Sequence, residues 1–383
     1  MLYLFLKDLV MFSKFTFVRI LLLSDTYSEH TEKWALGLAA NNVEVGLFSF
    51  NKASYPWYLN RKNITLLFEP ETRLDANSSA KKIAYLRHVK QLKKAITWFK
   101  PDVLHAHYAT SYGLVGALSK FHPFVISAWG TDVMKFPQKN FINKSILKFN
   151  LKKADAICAT SFTIKDYLKP VTNKEVHVIP FGINPEVFKL KQVKSVFNEK
   201  GFVFGFIKSF EKIYNIDVLV KCFAKLKSKH TDRKIMLLLV GEGSQVEPLK
   251  ELVKDLHIEK DVVFTGRVPF AEIADYYNMM DVLVNISEYE SFGVSVIEAM
   301  ACEKPVIVTN TGGLKEIVEN SNFGSLVELG DEEQLIHEME KYLLDDNLTK
   351  QIGKQAREKV LAKYNWNDNI LQMIDVYKQL IKQ

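Results

Sequence analysis

Glu290 and Glu298, with seven residues between them, flank a glycine that opens an apolar helix: Glu288-Tyr-Glu-Ser-Phe-Gly293, then Val294-Ser-Val-Ile-Glu-Ala-Met-Ala301. The free N–H groups and the dipole of a helix start attract anions, so this is a natural seat for a diphosphate. Gly293 lets backbone come close to such a ligand. A carboxylate one turn into the helix can accept hydrogen bonds from a ribose, and one on the loop can accept them from sugar hydroxyls. Two carboxylates beside a diphosphate repel it unless cations answer them. Lys208 and Lys212 are the candidates, compact charges able to neutralise a departing diphosphate. Gly241-Glu-Gly243, Gly266-Arg267 and Thr311-Gly-Gly313, with Glu316 shortly after, repeat the pattern of glycine following an apolar run. One such glycine is ordinary turn geometry; the recurrence points to a single ligand-facing edge. The plainer alternatives are solvent-facing carboxylates at a helix start and surface lysines.

The first half carries a different set. Asp102-Val-Leu-His-Ala-His-Tyr108 places His105 and His107 on one face of a strand, because side chains alternate. Zinc ligation, a hydrogen-bonded core and a role in a cleft all stay open for this pair, and no third ligand clusters with it in sequence. Ser127-Ala-Trp-Gly-Thr-Asp132 follows the next apolar run, and Asp132 and His107 are candidates for positioning an acceptor hydroxyl. In the loop Ser24 to Trp34, His30 and Thr31 could face a ligand, or Ser28 or Thr31 could simply cap a helix.

These residues need elements that present them at one edge. Short apolar runs alternate with amphipathic stretches, the pattern of parallel α/β architecture. The expected strands are Val18–Asp25, Val43–Phe50, Asp102–Tyr108, Phe124–Trp129, Ala156–Ser161 and Val176–Pro180, then Phe202–Ser209, Lys234–Gly241, Asp261–Gly266, Asp281–Ser287, Pro305–Asn310 and Ser325–Glu328. MLLLV and DVLVNI are the continuous runs of buried parallel strands. Ligands of such sheets bind beyond the carboxyl ends of the strands, where the unusual residues fall. Two sets imply two doubly wound domains joined near Phe181–Phe188, and 383 residues are too many for one ordinary core. Tyr364–Gln383 reads as a final helix with an apolar stripe.

Composition excludes a disordered chain, at 48% apolar and 25% charged. Cys158, Cys222 and Cys302 are scattered and odd in number, which argues against a disulfide framework and for a cytoplasmic setting. The apolar N-terminus is interrupted by Lys7, Asp8, Lys14 and Arg19, and no stretch of about 18 uncharged apolar residues exists to span a bilayer. A ragged start, with Met11 as an alternative first residue, or a weak surface anchor accounts for it. Charge is lopsided: residues 1–180 hold 25 Lys+Arg against 13 Asp+Glu, and 181–383 hold 26 against 31. Lys81, Lys82, Arg87, Lys90, Lys93, Lys94 and Lys100 interleave with Ile83, Leu86, Val89, Leu92, Ile96 and Phe99, and a second cluster runs Lys135, Lys139, Lys144, Lys148, Lys152, Lys153. Such helices either cover a core with one face or lie on an anionic membrane. Nucleic acid is the weaker reading.

The run EYESFGVSVIEAMACEKPVIVTNTGGLKEIV resembles the signature of glycosyltransferase family 4, a retaining GT-B family. The resemblance continues through FGINPEVF, IKSFEKIYNIDVLVKCFAKLK, LLLVGEGSQVEPLKEL and VVFTGRVPFAEIADYYNMMDVLV to Tyr364-Asn-Trp366, covering residues 176–366 in family order. It implies an α/β GT-B fold of two Rossmann-like domains with an interdomain cleft: 1–184 on the acceptor side, 185–365 for the nucleotide sugar, and a helix 366–383 packing back on the first. It further implies a nucleoside-diphosphate-sugar donor, retention of configuration, no metal and no cofactor, and a glycan or lipid-linked acceptor. Glu298 would hold the ribose, Glu290 the transferred sugar, and the backbone of Phe292, Gly293 and Val294 the phosphate and sugar. Lys208 and Lys212 would match the basic pair, and Gly241, Gly266 and Arg267 would lie along the donor. The chain departs from the pattern in four places. Lys208 replaces the commoner Arg and loses its bidentate fork, Lys212-Ile replaces Lys-Gly, and Trp129 replaces a His that contacts the donor sugar. The first loop also lacks the usual Gly-Gly. Trp-Gly-Thr-Asp resembles a variant of bacterial surface-polysaccharide transferases. A GT-B epimerase, a phosphorylase dependent on pyridoxal phosphate and a non-enzymatic basic module that binds nucleic acid are the rival readings.

Overall fold

The computed structural model describes residues 18–71 and 79–382, with no side-chain account for 79–86. The N-terminal stretch 1–17, and the side chains of Lys81, Lys82, Ile83 and Leu86, lie outside the described residues. The chain divides into two compact units. One takes in the described residues to Ala159, Asp166–Val178 and those from Ile370, and the other takes in Thr160–Lys165 and Ile179–Asn369.

The first unit is built on a wholly parallel sheet of seven strands: β1 (Arg19–Leu23), β2 (Glu44–Phe48), β3 (Ile64–Phe68), β4 (Val103–His107), β5 (Phe124–Ala128), β6 (Ala156–Ala159) and β7 (Val176–Val178). Their order is β3-β2-β1-β4-β5-β6-β7, with Leu21 paired to Gly46 on one side and Leu104 on the other. The second unit has six parallel strands: β8 (Phe202–Ile207), β9 (Ile235–Val240), β10 (Val262–Phe264), β11 (Val282–Asn285), β12 (Val306–Thr309) and β13 (Ser325–Val327), in the order β10-β9-β8-β11-β12-β13. The apolar runs read from sequence are these strands, shortened by one or two residues where the chain leaves the ladder.

β3 was not anticipated. It is a short edge strand in which only Ile64 is buried, so the continuous apolar signal of a central strand is missing. The central strands show the opposite: every residue of β4, β5 and β9 is buried. Helices cover both faces because a parallel crossover needs one. The core of the second unit stacks Phe204, Phe206, Phe210 and Phe223 against Leu237, Leu239 and Tyr342.

Gly205, inside β8, is there for space. A Cβ would lie 2.0 Å from Met280 Sδ, a side chain that is itself buried. Gly205→Val, although a gain in strand propensity, is expected to lower unfolding free energy in denaturant titrations by about 1–3 kcal/mol through overpacking. Combining it with Met280→Ala should cost less than the sum of the two changes, since the two sites share one space.

Candidate active site

In each sheet the strand order reverses once, and there adjacent strands send their loops in opposite directions, leaving a crevice at the carboxyl edge. In the second unit the reversal lies between β8 and β11. Lys208 leaves the end of β8 and Glu290 the loop after β11, and their side chains form an ion pair across that point. Neither is fully buried, with side-chain exposures of 19% and 15%. Lys208 Nζ also lies 4.4 Å from the centre of the Tyr214 ring, a cation–π contact. Burial pulls the lysine down to about 7, a cost that the carboxylate against it opposes.

The turn after β8 is tied to the same place. Residues Lys212–Tyr214 form one turn of 3-10 helix, Glu288 N–H donates to Ile213 O at 2.8 Å, and Asn215 Nδ2 donates to Ile286 O at 3.0 Å. Lys212 is exposed on this turn and does not share the Lys208–Glu290 contact.

Glycines allow the loops to close on one another. At Gly241 a Cβ would fall 1.9 Å from Lys208 O, at Gly312 2.3 Å from Glu290 O, and at Gly313 2.5 Å from Phe292 Cα. Gly241 and Gly312 also have positive φ, so two independent constraints demand glycine. Gly241 N–H donates to Gly266 O at 3.1 Å, and Gly313 N–H to Glu290 O at 2.9 Å. Gly266 and the exposed Arg267 end β10, two strands from Lys208.

Helix Val294–Ala301 starts at Gly293, with φ +115, a residue that has no side chain with which to cap the first N–H groups. Phe292 turns its ring inward, 6.0 Å from Phe181 and 5.5 Å from Tyr364, leaving its backbone on the loop. Glu298, one turn in, is 6% exposed and accepts a 2.9 Å hydrogen bond from Tyr277 Oη. Tyr277 is fully buried, and burial beside Glu298 keeps its phenol protonated. The sequence carried no local signal of this partner.

Nor did it show that Thr160–Lys165 joins this unit. Ser161 Oγ donates to Ser291 O at 2.6 Å, and Glu316 accepts the N–H groups of Phe162, at 2.9 Å, and Thr163. Pairing over more than a hundred residues leaves no local pattern.

The first unit repeats the arrangement between β1 and β4. Ser24 Oγ lies 2.8 Å from His107 Nδ1 and 2.7 Å from Thr31 Oγ1. Trp129 lies against His107, ring centres 4.5 Å apart, and meets His30 edge-on at 5.9 Å. Thus the tryptophan standing where the family commonly has histidine packs between two other histidines. Burial lowers His30 to about 4, with Lys33 adding to it, and drives His107 well below its usual value. At neutral pH both act as uncharged rings. His105 is a core residue: Nδ1 lies 2.6 Å from Tyr377 Oη, Nε2 lies 2.8 Å from Ser127 Oγ, and burial lowers its pKa to about 3. With both ring nitrogens bound to hydroxyls, it has none left for a metal.

Asp132 is 2% exposed. Its Oδ2 accepts Ala109 N–H at 2.7 Å, and Oδ1 accepts Gly130 N–H at 2.8 Å and Trp129 N–H at 3.2 Å. Burial raises its pKa while these N–H groups oppose the shift. The carboxylate therefore staples the loop after β4 to the loop after β5.

Two Rossmann-like parallel units, each with polar groups gathered at its switch point, are the architecture of the GT-B glycosyltransferases. Two family models match: Glycosyl transferases group 1 over residues 187–359 and Glycosyl transferase 4-like over residues 19–161. The chain belongs to this family. It is 29% identical over 295 residues to N-acetyl-alpha-D-glucosaminyl L-malate synthase of Bacillus anthracis, covering 73% of this chain and 75% of that one. Among solved structures, sucrose-phosphate synthase from Thermosynechococcus elongatus superposes with a TM-score of 0.81 at 23% identity, covering 95% of this chain and 99% of that chain. HepE of Anabaena, solved in complex with UDP, gives a TM-score of 0.78 at 18% identity over 95% and 100%. Both likenesses speak to fold.

Asp132→Ala should leave three buried N–H groups without an acceptor. Unfolding free energy is expected to fall by about 3 kcal/mol in denaturant titration, with Asp132→Asn recovering part of it. Undiminished stability in the alanine variant would show that the staple is not needed.

Proposed function

We propose that the chain transfers a sugar from a nucleoside-diphosphate sugar to an acceptor hydroxyl, with retention of configuration and without a metal. The observation that carries this is the Lys208–Glu290 pair at the switch point of the second sheet, next to the uncapped start of helix Val294–Ala301. In this reading the diphosphate takes Lys208 from Glu290, Lys212 adds charge from the turn, and the N–H groups at Phe292–Val294 hold phosphate. Glu290, released, accepts hydroxyls of the sugar. Glu298, held by Tyr277, accepts the ribose hydroxyls. Gly241, Gly266 and Arg267 lie along the same edge.

Chemistry then consists of positioning and of stabilising charge on the departing diphosphate. His107 and Asp132 serve the acceptor side: Asp132 by fixing two strand-end loops, His107 as a neutral hydrogen-bonding ring. One related fold, HepE of Anabaena, solved with UDP, with UDP and glucose, and with UDP-glucose, supports a nucleotide-sugar donor. Assembly of surface polysaccharide or a lipid-linked glycan is the proposed setting, resting on the Trp-Gly-Thr-Asp motif. A reducing, cytoplasmic location accords with three free, buried cysteines.

A panel of nucleoside-diphosphate sugars in a thermal-shift assay tests the donor. One donor should raise the melting temperature equally with and without Mg²⁺, and Glu298→Ala should weaken that shift. No response to any of them, or a strict need for Mg²⁺, would sink the reading.

Glu290→Gln separates the two roles of the pair. Without the carboxylate, Lys208 is easier to capture and a repulsive charge is gone. UDP should therefore bind as well or severalfold tighter, while transfer falls by about 10²–10³. Loss of UDP binding together with activity would mean that Glu290 holds the site's shape, not the sugar.

A further inference from the structure

Helix Phe141–Lys153 is firmly seated. Asn140 caps it, accepting Asn143 N–H at 2.9 Å, and Leu147, Asn150 and Leu151 are buried, with Asn150 Nδ2 donating to Ala109 O at 2.9 Å. That seating turns Phe141, Ile142 and Phe149 outward, at 82%, 68% and 38% exposure. They fall on one stripe with Ser145, since positions four, seven and eight apart share a helix face. Lys144, Lys148 and Lys152 are exposed beside it. An outward face that is both greasy and basic is the reverse of an ordinary surface helix.

Helix Ser79–Phe99 adds to the same layer. Both it and Phe141–Lys153 pack against helix Ser111–Ser119, so all three cover one side of the first sheet. It exposes Trp98, at 68%, among Lys90, Lys93 and Lys94. Neither residues 76–101 nor residues 133–154 contain an Asp or Glu. Surface helices of the second unit mix signs instead, as in Val246–Asp255, where Lys250 pairs with Glu247.

We propose that this layer docks on an anionic lipid bilayer, with Phe141, Ile142 and Phe149 entering the headgroup boundary and the lysines lying on lipid phosphates. Bulky apolar side chains gain by leaving water and each lysine gains from the negative surface, so the two terms act together. Single-stranded nucleic acid, the other polyanion that takes aromatic and basic groups, is gripped in grooves that track its backbone. Here the apolar stripe lies on the convex back of a helix. Among the described residues no helix is long and apolar enough to cross a membrane, so the contact is peripheral. It does not depend on the donor assignment.

Flotation of the full chain with vesicles tests it without any enzyme assay. Phosphatidylcholine vesicles containing phosphatidylglycerol should carry the protein, phosphatidylcholine alone should not, and salt should release it. Lys144→Gln/Lys148→Gln/Lys152→Gln should weaken capture on the order of a hundredfold, with an unchanged unfolding curve. Cys158, Cys222 and Cys302 are buried, so a polarity-sensitive dye can be placed selectively on Ser145→Cys. Its emission should shift to the blue on anionic vesicles and lose that shift with Phe141→Ser/Ile142→Ser. Absence of flotation at low salt, capture unaffected by the lysine changes, or an unshifted dye overturns the proposal. Retention of single-stranded DNA through these lysines without vesicle capture overturns it as well, and reassigns the face to nucleic acid.

Discussion

The reversal of strand order in a parallel sheet is the constraint on which this molecule depends. Every strand points the same way, so every loop that can carry chemistry leaves from one edge, and only where the order reverses do neighbouring loops part. β1 and β4 part in the first unit, β8 and β11 in the second. In both, polar side chains span the gap: Ser24 to His107, and Lys208 to Glu290. In the proposed reading, these are the places where a ligand's groups take over from a protein partner.

The two crevices differ in electrostatic character. In the second unit a lysine and a carboxylate face each other, partly shielded from water, and the lysine's charged form is held by that carboxylate and by the face of Tyr214. The first unit gathers histidines that burial keeps uncharged, packed with Trp129 and bound to hydroxyls. A charged crevice suits an anionic leaving group; an uncharged one suits a hydroxyl that must be oriented without being titrated.

Backbone closeness is the less visible requirement. The loops after β8 and β9 nearly touch at Lys208 and Gly241, and those after β11 and β12 at Glu290 and Gly312. A side chain at either glycine would push apart the loops that bear the ion pair. Tyr277 and Asp132 do comparable work with hydrogen bonds, one orienting Glu298 and the other joining two strand ends in the first unit.

The strands other than the half-exposed edge strand β3, their parallel arrangement in two sets and the position of polar residues just past strand ends were legible in the sequence, because buried parallel strands must be continuously apolar and glycine marks where they stop. The acidic pair, the two lysines and the glycines of the second half were legible for the same reason: each lies within a few residues of the strand or helix that positions it. Tertiary structure alone decided which of them meet. It paired Lys208 with Glu290 across 82 positions and left Lys212 exposed on its turn. It made His105 a core residue bound to Tyr377, 272 positions away, and gave Asp132 to the backbone. Local pattern encodes what a residue's own element must be, whereas partners distant in the chain are chosen by strand order and packing, which no window of sequence contains.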